Sequence, residues 1–360
     1  MIQLKTLSTN KLPDIKTLET CPYCESKNII RKGIRNKKYE QIQTYYCKKC
    51  QKKFTPSVTK GKTYPLKVIL DAITYYNRMN SFDQSAKMVS EKYGINIGGQ
   101  NISNWMQDMG EYITFKRMRE FVSKKYDKRD IFAESRMFHG QIYDYKYHRA
   151  KTDLILNEDF KHNKLRSIQE FLELVIAECP HSAFKESELR ASEFKNVFNL
   201  DQVKITKKTN TANKNAKLIL QTVENNKLRH EILQEFMLVN DSVTVACEIP
   251  ILLDYDDILH YKNTLAFEVP LEIKEDQRIT GHIDIVQIRN GQIHILDYKP
   301  SAKKAKPVAQ LTIYALALAR LTGLRLMHFK CAWFDENDYF EFYPLHVVYK
   351  KNISKRKKQK

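Results

Sequence analysis

The sequence predicts a multidomain protein of mixed α+β and α/β class: a small module held by four cysteines, a three-helix module, and a mixed β-sheet flanked by helices. Three observations carry this reading. Two Cys-x-x-Cys pairs, Cys21/Cys24 and Cys47/Cys50, stand 22 residues apart. Three helical stretches follow between Leu66 and Met118. Far downstream, Gly281 to Lys299 reads as two β-branched strands joined at Asn290-Gly291, the dipeptide suited to a two-residue type I′ hairpin turn.

A chain of 360 residues accommodates two or three domains, each with its own core. The balance of 61 Lys and Arg against 42 Asp and Glu leaves a formal charge of +19, which points to a polyanionic partner, and nucleic acid is the commonest. No run approaches the roughly 18 apolar residues of a membrane span, and Met1 to Lys16 lacks the apolar core of a signal peptide, so a soluble cytoplasmic protein without membrane partners is expected. Seven cysteines, an odd number, argue for a metal site plus bystanders rather than a disulfide framework.

In chain order, residues 1–62 are expected to form a zinc ribbon. The short spacers let Cys21, Cys24, Cys47 and Cys50 reach one tetrahedral Zn²⁺, over which Tyr45, Tyr46 and Phe54 pack as a core too small to stand alone. Between the knuckles, Lys27, Arg31, Lys32, Arg35, Lys37 and Lys38 suit phosphate contacts. Residues 63–120 are expected to form a helix-turn-helix from segments Leu66–Asn80, Ser81–Tyr93 and Gly99–Met118, with Ser81 as N-cap and Gly94 as stop. In that arrangement the last helix presents Gln100, Asn101 and Asn104 to base edges, while Trp105 and Met109 face the core. A three-helix bundle with no groove-reading role has the same periodicity.

Residues 121–215 read as a mostly helical, basic, tyrosine-rich connecting region, ending in a linker-like run from Lys204 to Lys217. Residues 216–349 are expected to be the sheet-based domain, and residues 350–360 a basic tail that adds affinity for phosphates.

The hairpin carries the chemistry. With Asn290 and Gly291 in the turn, Arg289 faces Gln292, and stepping outward sets Asp284 directly opposite Asp297, with Lys299 on the same face. Opposed carboxylates on neighbouring strands have Cβ atoms about 4.5–5.5 Å apart and repel unless a cation lies between them. Mg²⁺ or Mn²⁺ meets that need, and Lys299 adds a fixed positive charge, which suits phosphodiester hydrolysis. Val286, Ile288, Ile293 and Ile295 continue this face toward the turn as core. Downstream, Pro307 opens a helix to about Leu321, on which Gln310 and Tyr314 share one face.

Two resemblances attach to these residues. Cys21-Pro-x-Cys24-x-Ser26 with Tyr46-Cys47-x-x-Cys50-x-x-x-Phe54, followed by the three helices, resembles the DNA-binding front of insertion-sequence transposases; the three acidic residues of their ribonuclease-H-like domain have no counterpart here. Gly281-x-x-Asp284, Asp297-x-Lys299 and Gln310-x-x-x-Tyr314 together resemble the PD-(D/E)xK nuclease superfamily, closest to its RecB-like branch. This second resemblance implies a restriction-endonuclease-like mixed sheet, roles for Gln310 and Tyr314 in positioning substrate, and a metal-binding histidine on an upstream helix, for which His230 is the match. It leaves open whether Glu248 or Glu268, each in a Glu-x-Pro strand, is the further acidic position. Cys179, Cys247 and Cys331 are too few and too isolated for an iron-sulfur cluster.

The function expected from residues and resemblances together is a metal-dependent DNA endonuclease or nickase with its own targeting module, serving a mobile element, defence or recombination and repair. Its partners would be DNA, with a second copy of the chain or accessory mobile-element proteins left open. A DNA-binding regulator with a silent nuclease fold, or a nuclease acting on RNA, are the competing readings.

Overall fold

The computed structural model of the chain describes residues 20–55, 61–158, 164–186, 189–201, 203–223, 225 and 228–349. The basic tail of residues 350–360 lies outside the described residues. The chain divides into two compact units, Met1–Glu111 with Lys217–Leu233, and Tyr112–Ala216 with Gln234–Lys360.

The first unit begins with a small antiparallel sheet of β1 (Ile29–Asn36), β2 (Gln41–Cys47) and β3 (Lys53–Phe54), in that order. Its core is little more than Cys21, Tyr45, Cys47 and Phe54, with the Tyr45 and Phe54 rings stacked at 5.9 Å. β1 is exposed from Ile30 to Asn36, so Arg31, Lys32 and Arg35 stand in solvent. Three helices follow, α1 (Leu66–Asn77), α2 (Phe82–Tyr93) and α3 (Gly99–Asp108). Ser81 caps α2 in a reciprocal capping box with Gln84, and Gly94 ends it in the left-handed region at φ 65°. Ile69 and Ile73 of α1, Val89 of α2 and Ile102 and Trp105 of α3 are buried together with Met109.

The third helical stretch is shorter than expected. It stops at Asp108 rather than Met118, because Met109-Gly110 breaks the helical bonds, and a separate helix, α4 (Lys116–Lys125), starts in the second unit. There the Phe115 N–H donates to Asn240 O at 3.0 Å instead of to a helical carbonyl.

The second unit is built on a nine-stranded mixed sheet. Its strands are β4 (Phe132–Phe138), β5 (Ile142–His148), β6 (Leu189–Arg190), β7 (Thr206–Lys208), β8 (Thr244–Asp254), β9 (Arg278–Arg289), β10 (Gln292–Tyr298), β11 (Phe329–Phe334) and β12 (Tyr339–Phe342). The spatial order is β4-β5-β8-β9-β10-β11-β12-β7, with β6 pairing beside β9. β10 runs parallel to β11 and β6 to β9, and the other pairs are antiparallel. The flanking helices are α5 (Arg149–Glu158), α6 (Arg166–Glu178), α7 (His181–Glu186), α8 (Thr211–Ile219), α9 (Arg229–Asn240), α10 (Tyr255–Leu259) and α11 (Val308–Thr322); α8 and α9 each cross a unit boundary in sequence. The parallel pair needs a crossover, and α11 supplies it. That helix is buried on nearly every side, which suits its run of Leu, Ile and Ala, and Gly323 at φ 67° ends it.

Residues 121–215 are not a connecting region. Alongside the expected helices, α5 to α7, they supply β4, β5, β6 and β7, and Tyr145 and Tyr147 of β5 are fully buried in the sheet's core, so the region is part of the sheet domain. The linker-like Lys204–Lys217 run likewise contains β7 and the start of α8. β5 finds β8 only across about a hundred residues, Lys146 pairing with Cys247, so local periodicity carries no sign of it. A fragment beginning at residue 216 would lack four strands of this sheet.

Candidate active site and metal centres

Asn290 and Gly291 take φ of 53° and 68°, both positive as a type I′ turn requires, and Gln292 pairs with Arg289. The ladder continues through Ile295 opposite Val286 to Leu296 opposite Ile285. There β9 and β10 part: β9 goes on pairing with β8 down to Arg278, and β10 goes on with β11 to Tyr298. Asp284 and Asp297 are the next residues of the hairpin, at the fork. Asp284 fills the gap left in the ladder, its Oδ2 accepting the Tyr298 N–H at 3.3 Å.

Asp297 is 1% exposed, and neither carboxylate oxygen accepts a hydrogen bond. Lys299 Nζ comes to 3.0 Å of Asp297 Oδ2 as an ion pair. Burial, and then the neighbouring Asp284 carboxylate, push the Asp297 carboxyl well above the usual carboxylate range, with Lys299 opposing them. Burial works against the charge on Lys299, but Asp297 and Asp284 outweigh it and hold the ammonium above its ordinary pKa. A buried carboxylate beside a second one, with a single ammonium between them and solvent, is the condition that a hard divalent cation relieves, so the residues present fit such an ion.

Gln310 and Tyr314, one turn apart on α11, meet in a hydrogen bond from Gln310 Nε2 to Tyr314 Oη at 2.8 Å. Burial, with Asp284, Asp297 and Glu248 nearby, raises the Tyr314 pKa, and the Gln310 bond opposes the shift. Gly281 has a packing reason: a Cβ there would lie 2.5 Å from Tyr314 Cε1. Tyr314 is 4% exposed and has no room to withdraw. Gly281→Ala is therefore expected to cost about 1–3 kcal/mol of stability by overpacking, measurable by urea unfolding. An unchanged midpoint would contradict the contact.

The sequence left Glu248 and Glu268 undecided, and the structure separates them. Glu248 and Asp284 fall between the β8–β9 pairs Cys247–Ile285 and Ile249–Ile283, on adjacent strands, whereas Glu268 is exposed on a segment whose N–H bonds Val348 O. Glu248 takes a left-handed φ of 52° inside a strand, a conformation that costs a non-glycine residue about 1–2 kcal/mol. Gln234 of α9 donates to Glu248 Oε1 at 2.6 Å. Neither Glu248's placement nor Gln234 was legible in the sequence, since both depend on which strand lies beside β9. His230 is half-buried on α9, four residues before Gln234 on the same helix.

In the first unit, Cys21 Sγ lies 3.6 Å from Cys50 Sγ, and Cys24 Sγ 3.6 Å from Cys47 Sγ. Both knuckles have one geometry: Glu25 N–H donates to Cys21 O and Gln51 N–H to Cys47 O, each at 2.9 Å, with Glu25 and Gln51 in the left-handed region. Tetrahedral thiolate ligation with Zn–S of about 2.3 Å puts sulfurs about 3.8 Å apart, so the four cysteines fit zinc. The backbone N–H of Cys50 holds the Cys47 thiol below its usual pKa, whereas at Cys50 the Lys52 N–H is outweighed by burial and the neighbouring thiols, which push the pKa up to about 12. On α3, Gln100 and Asn104 are exposed and joined by a 3.1 Å hydrogen bond, and Asn101 is half-buried. Among the described residues, no helix is long and apolar enough to cross a membrane.

Comparison with known families finds one match: residues 170–338 match the family described as the PD-(D/E)XK nuclease superfamily. The match spans β6 to β11, including Asp284, Asp297, Lys299, Gln310, Tyr314 and Glu248, and supports a nuclease domain there. The mixed sheet with helices around it is consistent with a restriction-endonuclease-like fold, and members of this superfamily are usually metal-dependent phosphodiesterases. No curated protein and no solved structure matches the chain.

Proposed function

We propose that the chain is a divalent-metal-dependent DNA endonuclease or nickase that carries its own DNA-targeting module, working in a mobile-element, defence or recombination and repair setting. The observation that carries this reading is the buried Asp297 carboxylate, paired with Lys299 and beside Asp284 at the fork of the hairpin.

In this reading Asp284, Asp297 and Glu248 would hold Mg²⁺ or Mn²⁺. The bound ion supplies Lewis acidity toward the scissile phosphate and makes nearby water a better nucleophile. Lys299, kept protonated by the two aspartates, faces the incoming phosphate and offsets the charge that develops on it. Gln310 and Tyr314 form a hydrogen-bonded wall that orients the substrate, and the packing of Gly281 on Tyr314 fixes that wall against β9. Gln234 orients the Glu248 carboxylate.

The test is cleavage of supercoiled, linear and single-stranded DNA and of RNA with Mg²⁺, Mn²⁺ or chelator. Metal-dependent nicking or cutting of DNA is expected. Binding without cleavage in every metal would favour a regulator with a silent site, and preference for RNA would move the substrate class.

Targeting is assigned to the first unit, where a zinc-held basic strand would contact phosphates and Gln100, Asn101 and Asn104 of α3 would read bases. Asn104→Ala is expected to relax preference at one base position, by about 1–3 kcal/mol of discrimination for a bidentate contact. Cleavage-site mapping on a random-sequence library reads this directly, and an unchanged profile would remove α3 from recognition.

A further inference from the structure

The second unit also gathers three histidines and a cysteine that the reading above does not use. His139 sits in the tight connection between β4 and β5. Its N–H donates to Gln141 O at 2.9 Å, Gly140 turns the chain at φ 77°, and Arg190 Nη2 donates to His139 O at 2.8 Å. Phe184 stacks on the imidazole at 4.3 Å, so backbone and ring are both fixed. Opposite stands the turn Cys179-Pro180-His181 between α6 and α7, closed by a 2.8 Å bond from His181 N–H to Cys179 O. His139 Nε2 is 2.8 Å from His181 Nδ1 and 4.0 Å from Cys179 Sγ, and the ligand atoms of all three lie within 4.8 Å of one another.

We propose that His139, Cys179 and His181 form a second transition-metal site, of the zinc class, distinct from the four-cysteine cluster and from the carboxylates. Two imidazoles and a thiol select a borderline-soft ion over Mg²⁺, which takes oxygen ligands. Tetrahedral ligation with Zn–N of about 2.0–2.1 Å sets nitrogens about 3.3 Å apart, so the two rings need part by only about half an ångström. One wall of the site is built and the other is open: His139 is buried, Cys179 half-buried and His181 exposed, which leaves the fourth position to water or an added ligand.

His282 completes the arrangement. Its Nε2 lies 2.8 Å from His139 Nδ1, the contact that fixes which nitrogen of His139 faces the ion, and Tyr143 stacks on the His282 ring at 3.5 Å. His282 stands two residues before Asp284 on β9, on the same face of the strand. Metal at the new site would thus brace the strand that carries Asp284. This last consequence rests on the nuclease reading, and the site itself does not.

The test is metal content of the full chain, titrated with Co²⁺ as the spectroscopic probe and with Zn²⁺, in excess Mg²⁺ to fill oxygen-ligand sites. The wild type is expected to bind two equivalents. Cys179→Ser and His181→Gln are each expected to bind one, with Cys179→Ser losing the weak charge-transfer band of a single thiolate. His181 is exposed, so an unchanged far-UV circular dichroism spectrum for His181→Gln separates loss of the ion from loss of the fold. A wild type that binds one equivalent, or a well-folded His181→Gln that keeps two, would overturn the site, whatever the chain does to DNA.

Discussion

Asp297→Ala is expected to lower metal-dependent cleavage by ~10³-fold or more, the loss of several kcal/mol of charge stabilisation at about 1.4 kcal/mol per tenfold. DNA affinity should change little, because phosphate contacts are spread over many basic groups. The same residue predicts a stability effect of opposite sign. Burial and Asp284 raise the folded pKa of Asp297 above its unfolded value, so the folded chain binds the extra proton. A carboxyl shifted in that direction stabilises the fold below its unfolded pKa, and the contribution is lost as pH rises through the folded pKa. Metal-free protein should therefore lose stability through this group as pH rises from about 4 through the raised folded pKa, and Asp297→Asn should remove that slope. Mg²⁺ should raise the Tm of the wild type more than that of Asp297→Asn. Full cleavage by Asp297→Ala, or an equal Mg²⁺ effect on both proteins, would remove the site.

Cys47→Ser is expected to abolish zinc binding at the four-cysteine cluster and unfold the small sheet of the first unit. The apolar core there is Tyr45 and Phe54 with the cysteines themselves, too little to fold without the ion, and structural zinc in comparable finger peptides contributes ~10–16 kcal/mol at neutral pH. Loss of one metal equivalent together with protease sensitivity across β1 to β3 would bear this out. Iron in the purified chain, or a resistant β1–β3 in the variant, would contradict it.

What could be read from the sequence was what is local. The hairpin register follows from a two-residue turn, and both cysteine knuckles declare themselves by spacing, so Asp284, Asp297 and the four-cysteine cluster were legible. The N-cap at Ser81 and the stop at Gly94 were legible for the same reason. Nothing local tells β5 that it will lie beside β8, so the strands of residues 121–215 leave no mark in the sequence that sets them apart from a connector. Glu248 could not be chosen over Glu268 without the β8–β9 register. His139 and the Cys179-Pro180-His181 turn are 40 residues or more apart in sequence, and only the sheet brings them together.

The Lys204–Lys217 run has a linker-like composition, and that composition has another use. β7 ends the sheet with three residues, Thr206 to Lys208, and its lysines reach inward across the strand pair, Lys207 to Asp338 and Lys208 to Glu341, each at 2.5 Å. An edge so short and so charged offers no template to another chain's strand, since a newcomer would have to bury two ammonium groups for a few hydrogen bonds. What looks like slack between domains in the sequence is the strand that closes the order of the sheet at that side, with a charge pattern that disfavours edge-to-edge pairing.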